Sequence, residues 1–88
     1  MPPLFRLTIL SSEKKIFEGD IQSLVAPGGM GYLGILANHA PLITTLAPGK
    51  ITLKDAADKI TAIDSKAGGF LRVLKNKASI LLDRELKR

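Results

Sequence analysis

"GYLGILANHAPLITTLAPG", residues 31–49, is apolar yet broken by three Gly, two Pro and an Asn. No helical stripe of period 3.6 fits it. It divides into two short runs, "YLGIL" (32–36) and "LITTL" (42–46), joined by "NHAP". Ala40 precedes Pro41 and is pushed to an extended conformation, so "NHAP" reads as a rigid corner between two strands. The glycines allow tight bends or close backbone approach.

The same pattern extends outward in both directions. "LFRLTIL" (4–10) puts Phe5, Leu7 and Ile9 on one face and Arg6 and Thr8 on the other, the period of a half-buried strand. "KKIFEGD" (14–20) reads as a short strand ending in a Gly-Asp turn, and "IQSLVAP" (21–27) as another stopped by Pro27. "KITLKD" (50–55) and "KITAIDS" (59–65) flank a turn at "AAD" and predict a hairpin. "GGFLRVLKN" (68–76) and "KASILLD" (77–83) predict a second, with Asn76 at its turn. Asp83 is placed to N-cap a helical stub, "RELKR". Short strands divided by turns every 8–12 residues specify an all-β chain, a sandwich or a barrel. With 88 residues, one domain over 1–88 is expected, with no internal repeat or linker.

Composition narrows the chemistry. There is no Cys, so disulfides and thiolate metal sites are excluded. No apolar run reaches the roughly 18 residues of a membrane span. Arg6 interrupts the N-terminal apolar run and "SSEKK" follows, which does not fit a secretion signal. The net charge of +5 comes from cations spread along the chain, with no run of five. Nucleic-acid binding by an oligonucleotide-type barrel would need aromatics along one face, and Phe5, Phe17, Tyr32 and Phe70 do not supply them.

His39 is the single histidine. A general base needs a titratable partner to orient it, and no Ser, Cys, Asp or Glu lies within five residues. A His-dependent enzyme would need a carboxylate brought in by the fold; the plainer reading makes the imidazole pin the corner. "PGGMGYLG" lacks both the Lys-Ser/Thr ending and the following helix of a phosphate loop. Exposed Met30 and Tyr32 would instead be adaptable contact residues. Gly34, inside "YLGIL", predicts a bulge, close packing or positive φ, so Gly34→Val is expected to destabilise. The carboxylates are scattered, with Asp55 and Asp58 in a predicted turn. On the residues alone, this is a small β domain without a catalytic constellation.

Beyond that point the chain resembles a known family. Gly31, Leu33, Gly34, Ile35, His39, Ala40, Pro41, Leu42, Pro48 and Gly49 stand in the pattern of the ε subunit of the F-type ATP synthase, called δ in mitochondria. Ser11, Glu13, Ile16, Phe17 and Gly19 match the family's N-terminal pattern, and "AGGFLRVLKNKASILLD" is similar to its last hairpin, with Gly68 and Gly69 ahead of the strand. The resemblance implies a flattened β-sandwich of about ten short strands. It implies a non-catalytic rotor part, without cofactor, that fastens the γ subunit to the membrane c-ring so that ion-driven rotation is coupled to ATP synthesis. It places Gly29, Met30, Gly31 and Tyr32 in a ring-facing loop. Many relatives carry an acidic residue where Tyr32 stands, which favours packing over charge there. It places Ser11 and His39 at the γ interface and gives Gly34, Pro41, Gly49, Gly68 and Gly69 structural roles. Membrane contact would come only through the complex, on the cytoplasmic face of a bacterial inner membrane or the stromal face of a thylakoid. Bacterial members continue as a two-helix domain that can restrain ATP hydrolysis and in some binds ATP. This chain ends at Arg88, about where that domain would begin, so neither property is expected of it.

Overall fold

The computed structural model describes residues 2–83. Their eight strands are β1 (Phe5–Ser11), β2 (Lys15–Gly28), β3 (Gly31–Leu36), β4 (Leu42–Leu46), β5 (Gly49–Asp55), β6 (Ile60–Ser65), β7 (Gly69–Leu74) and β8 (Lys77–Leu82). The fold is an all-β flattened sandwich. One layer runs β4-β7-β8-β1 and ends on the first half of β2. The other runs β3-β2-β5-β6, using the second half of β2. Ile21 pairs with both Phe5 and Asp55, so β2 changes layers there, and a register irregularity between Ile21 and Ser23 marks the crossing. The expected helical stub lies outside the described residues.

The described residues hold eight strands where about ten short ones were expected, and the difference comes mainly from β2. The predicted Gly-Asp turn does not form. Gly19 and Asp20 stay extended, paired with Leu7 and Arg6, and Gly19 has no positive φ. The ring of Phe17 lies 3.3 Å from where a Cβ of Gly19 would stand, so the glycine makes room for a side chain instead of turning the chain. Both predicted hairpins are present, β5–β6 and β7–β8. The β7–β8 loop is the two-residue pair Lys75 and Asn76, both with positive φ, whose twist matches the strands it joins. Asp55 Oδ1 accepts from the Ala57 and Lys59 amides at 2.8 and 3.0 Å, which holds the β5–β6 turn.

Alternation fills the space between layers. Phe5, Leu7 and Ile9 from β1 meet Ala78, Ile80 and Leu82 from β8 and Leu71 and Val73 from β7. Across from them lie Ile21, Leu24, Ala26, Ile35, Ile51 and Leu53. The parallel β1–β8 pairing, Arg6↔Lys77 to Ser11↔Leu82, unites the N- and C-terminal strands.

Gly34 corrects a second expectation. A Cβ there meets nothing within 4 Å, its φ is not positive, and the residue is exposed. It is neither close-packed nor conformationally special. Gly34→Val is therefore expected to leave the melting temperature unchanged within about 2–3 °C in a circular-dichroism melt, since exposed substitutions without a special contact stay near ±0.5 kcal/mol. A fall of ten degrees or more would show packing that this geometry lacks.

An ion cluster bridges β1 and β2. Arg6 lies 3.2 Å from Glu18 and 3.4 Å from Asp20, and Lys15 also pairs with Glu18. The Lys15 hydrogen bond, then that of Arg6, holds the Glu18 carboxyl below its ordinary value of 4.5. A depressed carboxylate stabilises the fold above the ordinary value, and the contribution is lost as pH falls through the folded one. Glu18→Gln should thus flatten the decline of melting temperature below pH 4.5 and change little at pH 7, as these groups are exposed. An identical acid-side slope in both proteins would contradict this.

Candidate interaction surfaces

The singled-out residues fall at different corners of the sandwich. Ser11 ends β1. Its Oγ accepts from the Glu13 and Lys14 amides at 3.4 and 3.3 Å, and the Ser11 hydroxyl reaches Lys14 O at 3.3 Å. It pins the β1–β2 turn. His39 sits in the β3–β4 connection. Its amide donates to Leu36 O at 3.2 Å, and its Nδ1 lies 2.7 Å from Ala40 O, which requires the tautomer with a proton on Nδ1 or the imidazolium. Asn38, at φ 63°, donates its amide to Asn76 Oδ1 at 2.7 Å, and Asn76 Nδ2 donates to Leu4 O at 3.0 Å. His39 therefore stands by the β7–β8 turn. Ser11 pairs with Leu82 at the other end of the same layer. The fold does not bring them together, and the His39 ring meets the Ala40 carbonyl. Pro41 is exposed where the corner enters β4.

Gly29 and Met30 form the two-residue tip of the β2–β3 hairpin, closed by Gly28↔Gly31. Met30 is fully exposed and Tyr32 is 63% exposed. With Gly28, Leu33, Thr44 and Thr45 they line a cleft of about 370 Å³. Gly49 lies behind the tip, where a Cβ would come within 3.0 Å of the Pro27 ring. Gly68 ends the turn before β7 and Gly69 opens the strand, at the Ser11 end. Gly68 has φ +77°, and its carbonyl accepts from Asp83 N at 2.9 Å while its amide donates to Ser65 Oγ at 3.1 Å.

Sequence reasoning missed the outer face of the β4-β7-β8-β1 layer. Thr45, Phe70, Leu81 and Leu10 form one cross-strand row, with Ile43 a step away on β4. Phe70 and Leu81 are each 51% exposed and Ile43 is 76% exposed. Such a contiguous apolar patch marks an interaction site more than a lone surface leucine does. The signal was present as Phe70, Leu74 and Leu81 at outward positions of alternating strands, but only the pairing register shows that they are neighbours. Among the described residues no group of three or more His, Cys, Asp or Glu could hold a metal ion, and no helix is long and apolar enough to cross a membrane.

Comparison with known proteins matches this geometry. The family model of the ATP synthase Delta/Epsilon chain, beta-sandwich domain, covers residues 4–87. The ATP synthase epsilon chain of Leptospira borgpetersenii serovar Hardjo-bovis is 43% identical over 77 residues, 88% of this chain and 59% of that protein. The epsilon chain of Leptospira interrogans serovar copenhageni is 38% identical over 78 residues, 89% of this chain and 60% of that protein. The chain thus spans about three fifths of these relatives' length. In fold it is similar to a chain of the Euglena gracilis mitochondrial ATP synthase OSCP/F1/c-ring structure, with a TM-score of 0.85 at 23% identity, covering 93% of this chain and 52% of that one. A chain of the Tetrahymena thermophila central stalk/c-ring structure gives 0.75 at 14% identity, covering 94% and 66%. The order of strands, the Gly31–Gly49 corner and the final hairpin are all inside the matched span, and the chain belongs to the ATP synthase delta/epsilon family through its β-sandwich domain.

Proposed function

We propose that this chain is a non-catalytic central-stalk part of an F-type ATP synthase, fastening γ to the c-ring so that ring rotation is transmitted to the catalytic head. Family membership over residues 4–87 carries the reading. Two features of the molecule support it. A torque-bearing joint needs a stiff body, and a sandwich with a single continuous core supplies that. It also needs docking surfaces for two partners, and the exposed Phe70–Leu81 row and the Met30–Tyr32 tip, which adjoin at Thr45, offer them. Its work is binding energy, not bond breaking.

In this reading γ covers the outer face of the β4-β7-β8-β1 layer, with Ser11 and His39 at its two ends. The tip at Gly29, Met30, Gly31 and Tyr32 meets the polar loops of the ring, by packing and hydrogen bonding. The membrane is reached only through the complex, from the cytoplasmic or stromal side. Calorimetric titration with γ from the same source tests this. Saturable one-to-one binding, weakened by His39→Ala, is expected; a folded chain that takes up no γ at roughly 50 µM contradicts it.

Tyr32 gives a further check. It is exposed, so Tyr32→Asp should shift the melting temperature by less than about 3 °C while changing attachment of the assembled head to ring-containing membranes. Melting of the domain instead would make Tyr32 a packing residue.

A further inference from the structure

Among the described residues two strands have a single strand neighbour, β6 and β3. A free strand edge is a template for another strand unless charges, proline or a bulge blunt it. β6 is guarded: Asp64 lies within it, and Lys59 and Lys66 flank it. β3 is not. From Ile21 to Gly49 there is no Asp, Glu, Lys or Arg, and β3 carries no Pro and no bulge.

Its backbone groups are also aimed outward. Pro27, opposite Tyr32, has no N–H, and its carbonyl accepts from Ala47 N at 2.8 Å on the side of β2 away from β3. At the other end of β3 the Leu36 carbonyl accepts from His39 N instead of from β2. Antiparallel pairs alternate, so Tyr32, Gly34 and Leu36 turn their amides away from β2, while Leu33 and Ile35 bond to it. The outward side chains, Tyr32 and Leu36, flank a glycine that nothing within the chain requires.

We propose that β3 accepts an added strand from another chain, an extended and uncharged segment that pairs with the Tyr32, Gly34 and Leu36 amides. This rests on the stalk reading, which supplies γ as the donor. β3 runs from the Met30 tip to the His39 corner, so an added strand would be continuous with both contact points. A second copy is the poorer occupant. β3 offers three outward positions, one of them glycine, far short of the roughly 800 Å² per partner that a stable pair of copies buries. A larger partner can add this edge to a footprint made elsewhere. The absence of charge on β3 fits main-chain pairing with specificity from alternate side chains.

The test is amide exchange by NMR on the labelled chain, free and saturated with unlabelled γ. In the free chain the amides of Tyr32, Gly34 and Leu36 should exchange much faster than those of Leu33 and Ile35. With γ bound, the three fast amides should slow by at least tenfold. Gly34→Pro removes one outward donor, which an edge strand tolerates, and should weaken γ binding about tenfold with the fold retained. If proline disturbs folding, Gly34→Lys places a charge on the edge without an internal clash and should weaken binding likewise. Full-affinity γ binding with the three amides still fast overturns the added strand and leaves the stalk reading standing. No binding of γ by the native chain overturns the stalk reading and with it γ as donor. Protection of the same amides in a concentrated chain of dimer mass would make a second copy the occupant and overturn this assignment.

Discussion

Gly69→Ala is expected to unfold this domain or lower its melting temperature by roughly 15–30 °C. A Cβ at Gly69 would stand 2.1 Å from the Leu81 carbonyl oxygen and 2.9 Å from Leu82 Cα, both backbone atoms of the neighbouring strand. Neither can swing aside as a side chain would. Relief requires prying β7 from β8, and β8 in turn holds β1. A cost of about 4 kcal/mol is a large share of the 5–15 kcal/mol that holds a typical domain, and small domains sit at the low end. Gly68→Ala adds a separate strain, since a positive φ is combined with a Cβ only 2.4 Å from Leu46 O. Gly34→Ala serves as the control that should do nothing. A Gly69→Ala protein melting within a few degrees of the native one would show that the β7 entry is looser than described.

The second large effect concerns recognition. Phe70→Asp should leave the melting temperature within about 3 °C, because the ring is half exposed and lies outside the core. It should weaken γ binding by roughly thirtyfold or more, the scale of losing a central aromatic contact of about 2 kcal/mol. Leu81→Asp, its cross-strand neighbour, should act similarly, and the pair should be less than additive because both would empty one patch. Titration of γ into each variant measures this. Unchanged affinity in both would move the γ interface off this face.

Much of the fold was legible in local pattern. The alternation of "LFRLTIL" assigned Phe5, Leu7 and Ile9 to the core without error. Asn76 and the Asp55–Asp58 segment announced their turns. Glycine was where local reading failed, because its meaning depends on what approaches it. Gly19 resembled a turn and is an extended residue beneath Phe17. Gly34 resembled a packing constraint and faces open space. Gly69 stands ahead of a strand in local pattern and draws a structural role only from the family resemblance; its demand comes from a carbonyl twelve residues later in the chain. The two-layer path of β2 was illegible for a related reason, since the switch at Ile21 is defined by partners on two other strands. The apolar row Phe70–Leu81–Leu10 depends on register in the same way. The family resemblance supplied partners that no local pattern could.

Coupling is the property that distinguishes a stalk part from a mere binder of γ. The direct measurement takes the catalytic head stripped of its own ε-type subunit, rebinds it to ring-containing vesicles, and follows ATP-driven ion pumping as this chain is titrated in. The account predicts that pumping per ATP hydrolysed rises to saturation at one chain per head, and that Phe70→Asp moves the rise to roughly thirtyfold higher chain concentration. Pumping that is indifferent to the chain, in vesicles where a full-length relative restores it, would contradict the account.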